Sequence, residues 1–402
     1  MFSKLKISNF KSITDLEIEL GRFNVFIGEN GCGKTNILEA VALLGAAKSN
    51  QLEAANLSNR GIRVTKPNLT SSSFSGINLK KTIEITLDKA QCFLSNPDPS
   101  NIYSKWYDLV EVERESVIKD FAKNIDLAKL QEDAMKMALS LADSDMVVKK
   151  EISKIINKKF IDQTIKRYVQ ESIDIGLNNY LVYSLNSNSL RGLTSLNDSL
   201  PLGIFGEGLD VLINNFSIKE KQKLHELLQV VTWFSQLIID NDKTLKNEGH
   251  NLGRSASSIY FTDKFMKRNN KIFAAENANE GVLFLLFYFT LFISDKTPKF
   301  FAVDNIETAL NPKLCRDLIK QLTILSKEND KQVLITTHNP AVLDGLNLND
   351  DEQRLFVVKR SDEGYTKVER IKLKPKTKAT EGLKLSELWM RGYLGGLSQT
   401  SF

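Results

Sequence analysis

The clearest chemistry in this 402-residue chain lies in eight consecutive residues. Gly28-Glu29-Asn30-Gly31-Cys32-Gly33-Lys34-Thr35 fits the pattern GxxxxGK(S/T) in full. Glycines at such spacing let successive backbone N–H groups turn inward around phosphate oxygens, where a Cβ would clash. A helix opening at the end of the loop adds partial positive charge. The pattern predicts that Asn30, Gly31, Cys32, Gly33, Lys34, Thr35 and Asn36 bind ATP. Lys34 would reach the β- and γ-phosphates, and the Thr35 hydroxyl would ligate Mg²⁺. A glycine-rich turn of no function is the plain alternative, but it explains neither flank. Phe23 to Ile27 reads as a buried strand, and Ile37, Leu38, Val41, Leu43 and Leu44 give helical periodicity from Thr35.

A second and a third constellation follow in chain order. Phe300-Phe301-Ala302-Val303-Asp304 is an apolar strand ending in a carboxylate, suited to hold the Mg²⁺ water shell beside Thr35. Val333 to Thr337 is an apolar strand leading into His338, placed to hydrogen-bond a γ-phosphate or an attacking water. A lone histidine after a strand is more often structural; its position after Lys34 and Asp304 is what favours a role. Glu207, with Asp240-Asn241-Asp242, imitates a nuclease metal site. Val230 to Ile239 reads as helix, however, so Asp240 to Asp242 is expected to be its C-terminal turn. The three histidines, His225, His250 and His338, are too few for a histidine-based nuclease centre.

These groups need strands and helices to hold them, and the chain supplies them at its two ends. The expected fold class is α/β: an ATPase head with a mixed sheet flanked by helices, interrupted by an inserted helical arm. Residues 1–97 form the first part of the head and 251–402 the second, with 98–250 as the insertion. Within the insertion, 104–177 reads as long Lys- and Glu-rich helices, 180–192 as strand and 217–239 as helix again. In the second part, 282–293 is an apolar helix, 313–327 an amphipathic one, and 354–371 sheet-like. The net charge of +5 is mild and neither demands nor excludes nucleic acid. Three scattered cysteines, Cys32, Cys92 and Cys315, suit a reducing compartment, and no apolar run is long enough to span a bilayer. A cytoplasmic location is expected.

The segments ISNFKSI, GENGCGKTN, AVDNIETALNP and ITTHNPAVLDG resemble the RecF/SMC-like branch of ABC ATPases, and more closely the OLD-type ATPases of prokaryotic anti-phage defence modules. The likeness covers residues 1 to about 90 and 255–402, including RGIRV at 60–64 and LSELWMRGYLGG at 385–396. It implies an ATP- and Mg²⁺-dependent homo-oligomer, at least a dimer, with nucleotide sandwiched between two heads. The signature segment contacting the partner's γ-phosphate falls on Asn279, Glu280 and Gly281, with Asn279 in the usual serine position. Lys11, or else Asn9, is implied near the nucleotide, and Asn78 is a candidate for the glutamine of the family's Q-loop. A separate nuclease effector, and a phage protein or DNA as trigger, are further implications.

One departure from the resemblance bears on mechanism. Asn305 stands where such ATPases carry a glutamate after the strand-end aspartate, and an amide cannot accept a proton from water. The catalytic set is therefore expected to be Asp304, Asn305, Glu307 and His338, with Glu307 a substitute base and hydrolysis slow or partner-dependent. A RecF-like DNA-binding role in repair or chromosome maintenance is the competing expectation. Lys34→Ala should abolish ATP binding in an otherwise folded protein, measured by equilibrium titration; unchanged affinity would overturn the phosphate-loop assignment.

Overall fold

The computed structural model describes residues 1–74, 82–101, 104–112, 175–194, 200–267, 271–372 and 382–395. Asn78 and most of the expected helical arm lie outside the described residues. In chain order the strands are β1 (Lys4–Phe10), β2 (Ile13–Glu19), β3 (Phe23–Ile27), β4 (Ile83–Leu87), β5 (Ala90–Ser95), β6 (Tyr107–Asp108), β7 (Val182–Tyr183), β8 (Phe234–Ile239), β9 (Ile259–Asp263), β10 (Ile272–Ala274), β11 (Phe300–Val303), β12 (Gln332–Thr337), β13 (Gln353–Arg360) and β14 (Thr366–Ile371).

Six of them make the central sheet, in the order β14-β13-β3-β12-β11-β7. β13, β3, β12, β11 and β7 are parallel, and β14 is an antiparallel edge. β3, β11 and β12 are largely apolar and buried along their whole length, without alternation, because both faces of this sheet are covered. Successive side chains still point to opposite sides. Val25, Ile27, Val303 and Ile335 enter one core with the apolar helix Glu280–Ile293 and the amphipathic helix Pro312–Glu328. Phe26, Ala302, Leu334 and Phe356 enter the other, where the helix Lys34–Lys48 lies between this sheet and an antiparallel one ordered β2-β1-β4-β5-β6. An α/β head of two layers of sheet and flanking helices is the result. No helix among the described residues is long and apolar enough to cross a membrane.

The region between residues 180 and 275 differs from its sequence reading. Only Val182–Tyr183 of the stretch 180–192 is strand; Asn186 then accepts from the Asn188 N–H and caps a short helix, Ser187–Leu190. The helix Ile218–Leu228 stops well before residue 239, and Phe234–Ile239 is a strand paired with Ile259–Asp263. Tertiary pairing prevails there over helical spacing, because Phe234 and Trp233 pack against Phe261 and Phe273 across the sheet. Asp240 therefore ends a strand, not a helix, and its carboxylate accepts from the Thr244 and Leu245 N–H groups at 2.9 Å each. Glu207 accepts from Ser189 and the Phe205 N–H, so the imitation metal site is two unrelated loop braces. The β8–β9 pairing also crosses the expected boundary at 250, and Leu202, Leu212 and Leu224 belong to the head's own core.

The C-terminal helix Leu385–Met390 closes this core, with Trp389 buried. Ser386 donates its N–H and Oγ to Asp344 at 3.0 and 2.8 Å, tying the helix to the turn Pro340–Gly345. At the far end of the apolar helix, Lys331 is fully buried. Its Nζ donates to the Ser294, Thr297 and Pro298 carbonyls and to Thr297 Oγ1, at 2.7 to 3.2 Å. Burial pushes its pKa down to about 7, while the oxygen cage at a helix C-terminus favours the ammonium. Lys331→Met should strand those oxygens and lower stability by about 2–4 kcal/mol in denaturant titration; an unchanged midpoint would show that the cage is dispensable.

Candidate functional site

The site forms where parallel strands end. β3 runs directly into the phosphate loop, and Gly28 presses on β13 so closely that a Cβ there would lie 2.0 Å from the Val358 carbonyl oxygen. Gly33 has φ +106°, and its Cβ would meet Thr366 Oγ1 at 2.1 Å. Both positions therefore require glycine. The β13–β14 hairpin braces the loop: Thr366 Oγ1 donates to the Cys32 carbonyl at 2.8 Å, and Arg360 Nε to the Gly31 carbonyl at 2.9 Å. Ser12 joins Thr366 to Asn36, at 2.7 Å on each side. Asn30 and Gly31 stay exposed at the loop's rim, and Cys32 is buried.

Lys34 is buried, and its Nζ donates to the Gly28 and Glu29 carbonyls at 2.9 and 2.8 Å. Desolvation lowers its pKa; the Cys32 thiol, Asp304 and Glu307 act the other way. His338 Nδ1 lies 3.2 Å from Lys34 Nζ. Because an ammonium only donates, Nδ1 accepts, and the neutral ring carries its proton on Nε2. Burial, then the Lys34 charge, holds the His338 pKa below its usual value, which keeps the ring neutral.

Asp304 is the centre of the other half. Residues 300–303 pair in register with 332–335, which sets the next residues, Asp304 and Thr336, side by side. The Asp304 carboxylate accepts from Thr336 Oγ1, and from Thr35 Oγ1 at 3.0 and 3.1 Å. The Asn305 N–H donates to Thr336 Oγ1 at 2.9 Å, and Asn305 sits at φ 54°, a left-handed conformation asparagine tolerates. Glu307 Oε1 accepts from the His338 N–H at 2.7 Å, whereas the buried Glu307 Oε2 has no hydrogen-bond partner. A buried carboxylate oxygen without a donor suits a water held there, and the Thr35–Asp304 pair of hard oxygens suits Mg²⁺. The site's residues thus fit the implied cofactors.

Lys34, Thr35, Asp304, Asn305, Glu307 and His338 are therefore brought together. Lys11, with its side chain 12% exposed, pairs with the buried Glu39 on the helix that follows the loop. Asn9 bridges the Thr82 carbonyl and the Ser72 N–H. Asn279 and Glu280 are exposed and open the apolar helix, with Asn279 Oδ1 accepting from the Gly281 N–H at 2.8 Å. Thr336, Glu39, Arg63, Ser12, Arg360 and Thr366 escaped the sequence reading of site residues. Thr336 had a usable signal, a hydroxyl at the end of the strand adjoining Asp304, and Ser12 and Arg63 lay inside the ISNFKSI and RGIRV segments of the family likeness without being singled out.

The fold and this site define an ABC-type P-loop ATPase. The chain belongs to the family described as "AAA domain, putative AbiEii toxin, Type IV TA system", whose model matches residues 115–344. That match takes in Asp304 and His338 but not the phosphate loop. The DNA replication and repair protein RecF of Glaesserella parasuis serovar 5 is 44% identical over 69 residues, 17% of this chain and 18% of that protein. RecF of Citrifermentans bemidjiense is 49% identical over 47 residues, 11% and 13%. The chain thus spans under a fifth of these relatives' length. The crystal structure of an SmcHead bound to the C-winged helix domain of ScpA aligns over 93% of this chain and 98% of that one, at 14% identity and a TM-score of 0.51. That likeness speaks for the fold.

Proposed function

We propose that the chain is a nucleotide-gated ATPase that works as a homo-oligomer and controls a separate nuclease effector in anti-phage defence. The observation that carries the ATPase reading is the meeting of Thr35 Oγ1 with the Asp304 carboxylate at 3.0 Å beneath the phosphate loop. Lys34 exchanges its neutral carbonyl partners for phosphate oxygens, a stronger, charge-assisted bond. Asp304 and Thr35 would hold Mg²⁺, which would supply neutralisation of the charge that develops on the transferred phosphoryl group. Thr336 fixes the Asp304 carboxylate.

Glu307 is the general base in this reading. Its Oε1 is anchored by the His338 N–H, which aims Oε2 at the attacking water, and neutral His338 donates from Nε2. Asn305 orients that water without taking its proton, so turnover is slow. The exposed helix start at Asn279, Glu280 and Gly281 meets the nucleotide of a second subunit. Family membership, with its toxin and toxin–antitoxin description, supports the defence role, as does the sequence likeness to OLD-type ATPases. The RecF segments support the competing reading, direct DNA binding.

Glu307→Gln should lower phosphate release by about 10²-fold or more with ATP affinity preserved. Asn305→Glu should not raise turnover, because it would crowd a second carboxylate beside Asp304. Turnover that survives Glu307→Gln would transfer the base to another group. Light scattering should find a dimer or larger with ATP and Mg²⁺ at micromolar protein, and a monomer there would sink the sandwich. Tight, salt-dependent DNA binding by the isolated protein would favour the RecF-like reading over the defence one.

A further inference from the structure

The helix start at Asn279, Glu280 and Gly281 inherits its direction from the turn before it. Ala275–Asn277 is a single 3₁₀ turn, closed where the Ala278 N–H donates to the Ala275 carbonyl at 3.1 Å. Ala275 and Ala278 are buried, whereas Asn277, Asn279 and Glu280 are exposed. One such turn has weak hydrogen bonds of its own, so its orientation depends on outside partners. Arg191 is that partner: its Nη1 donates to the Ala275 carbonyl at 3.3 Å and to the Glu276 carbonyl. The arginine is itself held in place. Its Nε donates to Ser187 Oγ at 3.1 Å, and its carbonyl accepts from Ser255 Oγ at 2.5 Å.

The place of Arg191 in the chain gives this contact a second meaning. The segment that carries it begins at β7, which pairs in parallel with β11. There the Tyr183 carbonyl accepts from the Asp304 N–H at 2.8 Å. The short stretch 183–191 therefore connects the strand end that carries Asp304 to the turn that carries Asn279. In a sandwich of two identical heads about a two-fold axis, each head's helix start must meet the nucleotide held by the other. The offset between a head's own nucleotide site and its own turn then decides whether both sites close together.

We propose that Arg191 is a positioning residue that fixes this offset, holding the Asn279–Gly281 helix start where it meets the nucleotide of a second copy. The inference rests on the homo-oligomer reading above. A planar guanidinium serves two neighbouring carbonyls in one fixed geometry, which a lysine ammonium on its flexible stem does not reproduce. The plain alternative is a staple that only stabilises the fold. It predicts no difference between nucleotide binding and dimerisation.

Two measurements on the full chain separate these readings. One is nucleotide affinity on protein diluted until it is monomeric. The other is the dissociation constant, by sedimentation, of the dimer formed with Mg²⁺ and a non-hydrolysable ATP analogue. Arg191→Ala should weaken the dimer about tenfold or more and leave the monomer's nucleotide affinity nearly unchanged, because charge-assisted bonds are lost at two symmetry-related turns. Arg191→Lys, which keeps a cationic donor, should recover part of the loss. Asn279→Ala should weaken the same dimer, and the double variant should be no worse than the more severe single one, because Arg191 acts through that helix start. If Arg191→Ala does not fold, Arg191→Lys alone and combined with Asn279→Ala makes the same comparison. Wild-type dimerisation in the Arg191 variants, an equal fall in monomer nucleotide affinity, or additive losses in the double variant would each overturn the proposal. Failure of the reading beneath it looks different: the wild type itself stays monomeric with the analogue and Mg²⁺.

Discussion

The contact between Thr35 and Asp304 is the constraint around which the head is arranged. The two residues stand 269 positions apart in the chain and meet at 3.0 Å. Their meeting requires β3, β12 and β11 to lie parallel and adjacent, so that the loop, Thr336 and Asp304 emerge at the same edge. In an open parallel sheet that edge is where ligands bind, because the strands' carboxyl ends leave a crevice that the loops can line. A slip of one residue between β11 and β12 would turn Val303 out of its core and remove Asp304 from Thr336. Burial of both faces of the sheet thus enforces the register that the site needs.

Buried charge is the second theme, and each case is met by several oxygens or by an opposite charge. Lys34 rests on two carbonyls, Lys331 on a cage of four acceptors, and Glu39 between two cations. Leaving any of them unpaired would cost more than most single apolar contacts contribute. Lys34 differs from the others in one respect. Its partners are loop carbonyls beside a helix N-terminus, whose N–H groups favour an anion as the partner that would replace those carbonyls. Lys331 sits in a closed cage, whereas Lys34 borders the open rim made by Asn30 and Gly31.

The loop also depends on elements remote in sequence. The Ser12, Asn36 and Thr366 side chains form one hydrogen-bonded chain, and Arg360 reaches across to the Gly31 carbonyl. The β13–β14 hairpin thus supports the phosphate loop, and the turn after β1 supports the start of its helix. Asn305 and Lys11 occupy left-handed backbone conformations at the site, and each donates to a neighbour, Asn305 N–H to Thr336 Oγ1 and Lys11 Nζ to Glu39.

By itself the sequence determined what depends on local pattern. The phosphate loop is a contiguous string whose glycines answer to backbone sterics, and the strands β3, β11 and β12 announce themselves as largely apolar runs. The chemistry of Lys34, Thr35, Asp304 and His338 followed from residue type at strand and helix ends. Only tertiary structure decided the rest, because it depends on partners distant in the chain. Phe234–Ile239 became a strand through pairing with Ile259–Asp263 and cross-strand aromatic packing, which no local periodicity encodes. Glu39 was invisible for the same reason, and Arg63, although inside the RGIRV segment of the family likeness, had no partner the sequence could name. A glutamate on an amphipathic pattern and an arginine in a loop reveal nothing until the fold removes one from water and obliges it to hold the other.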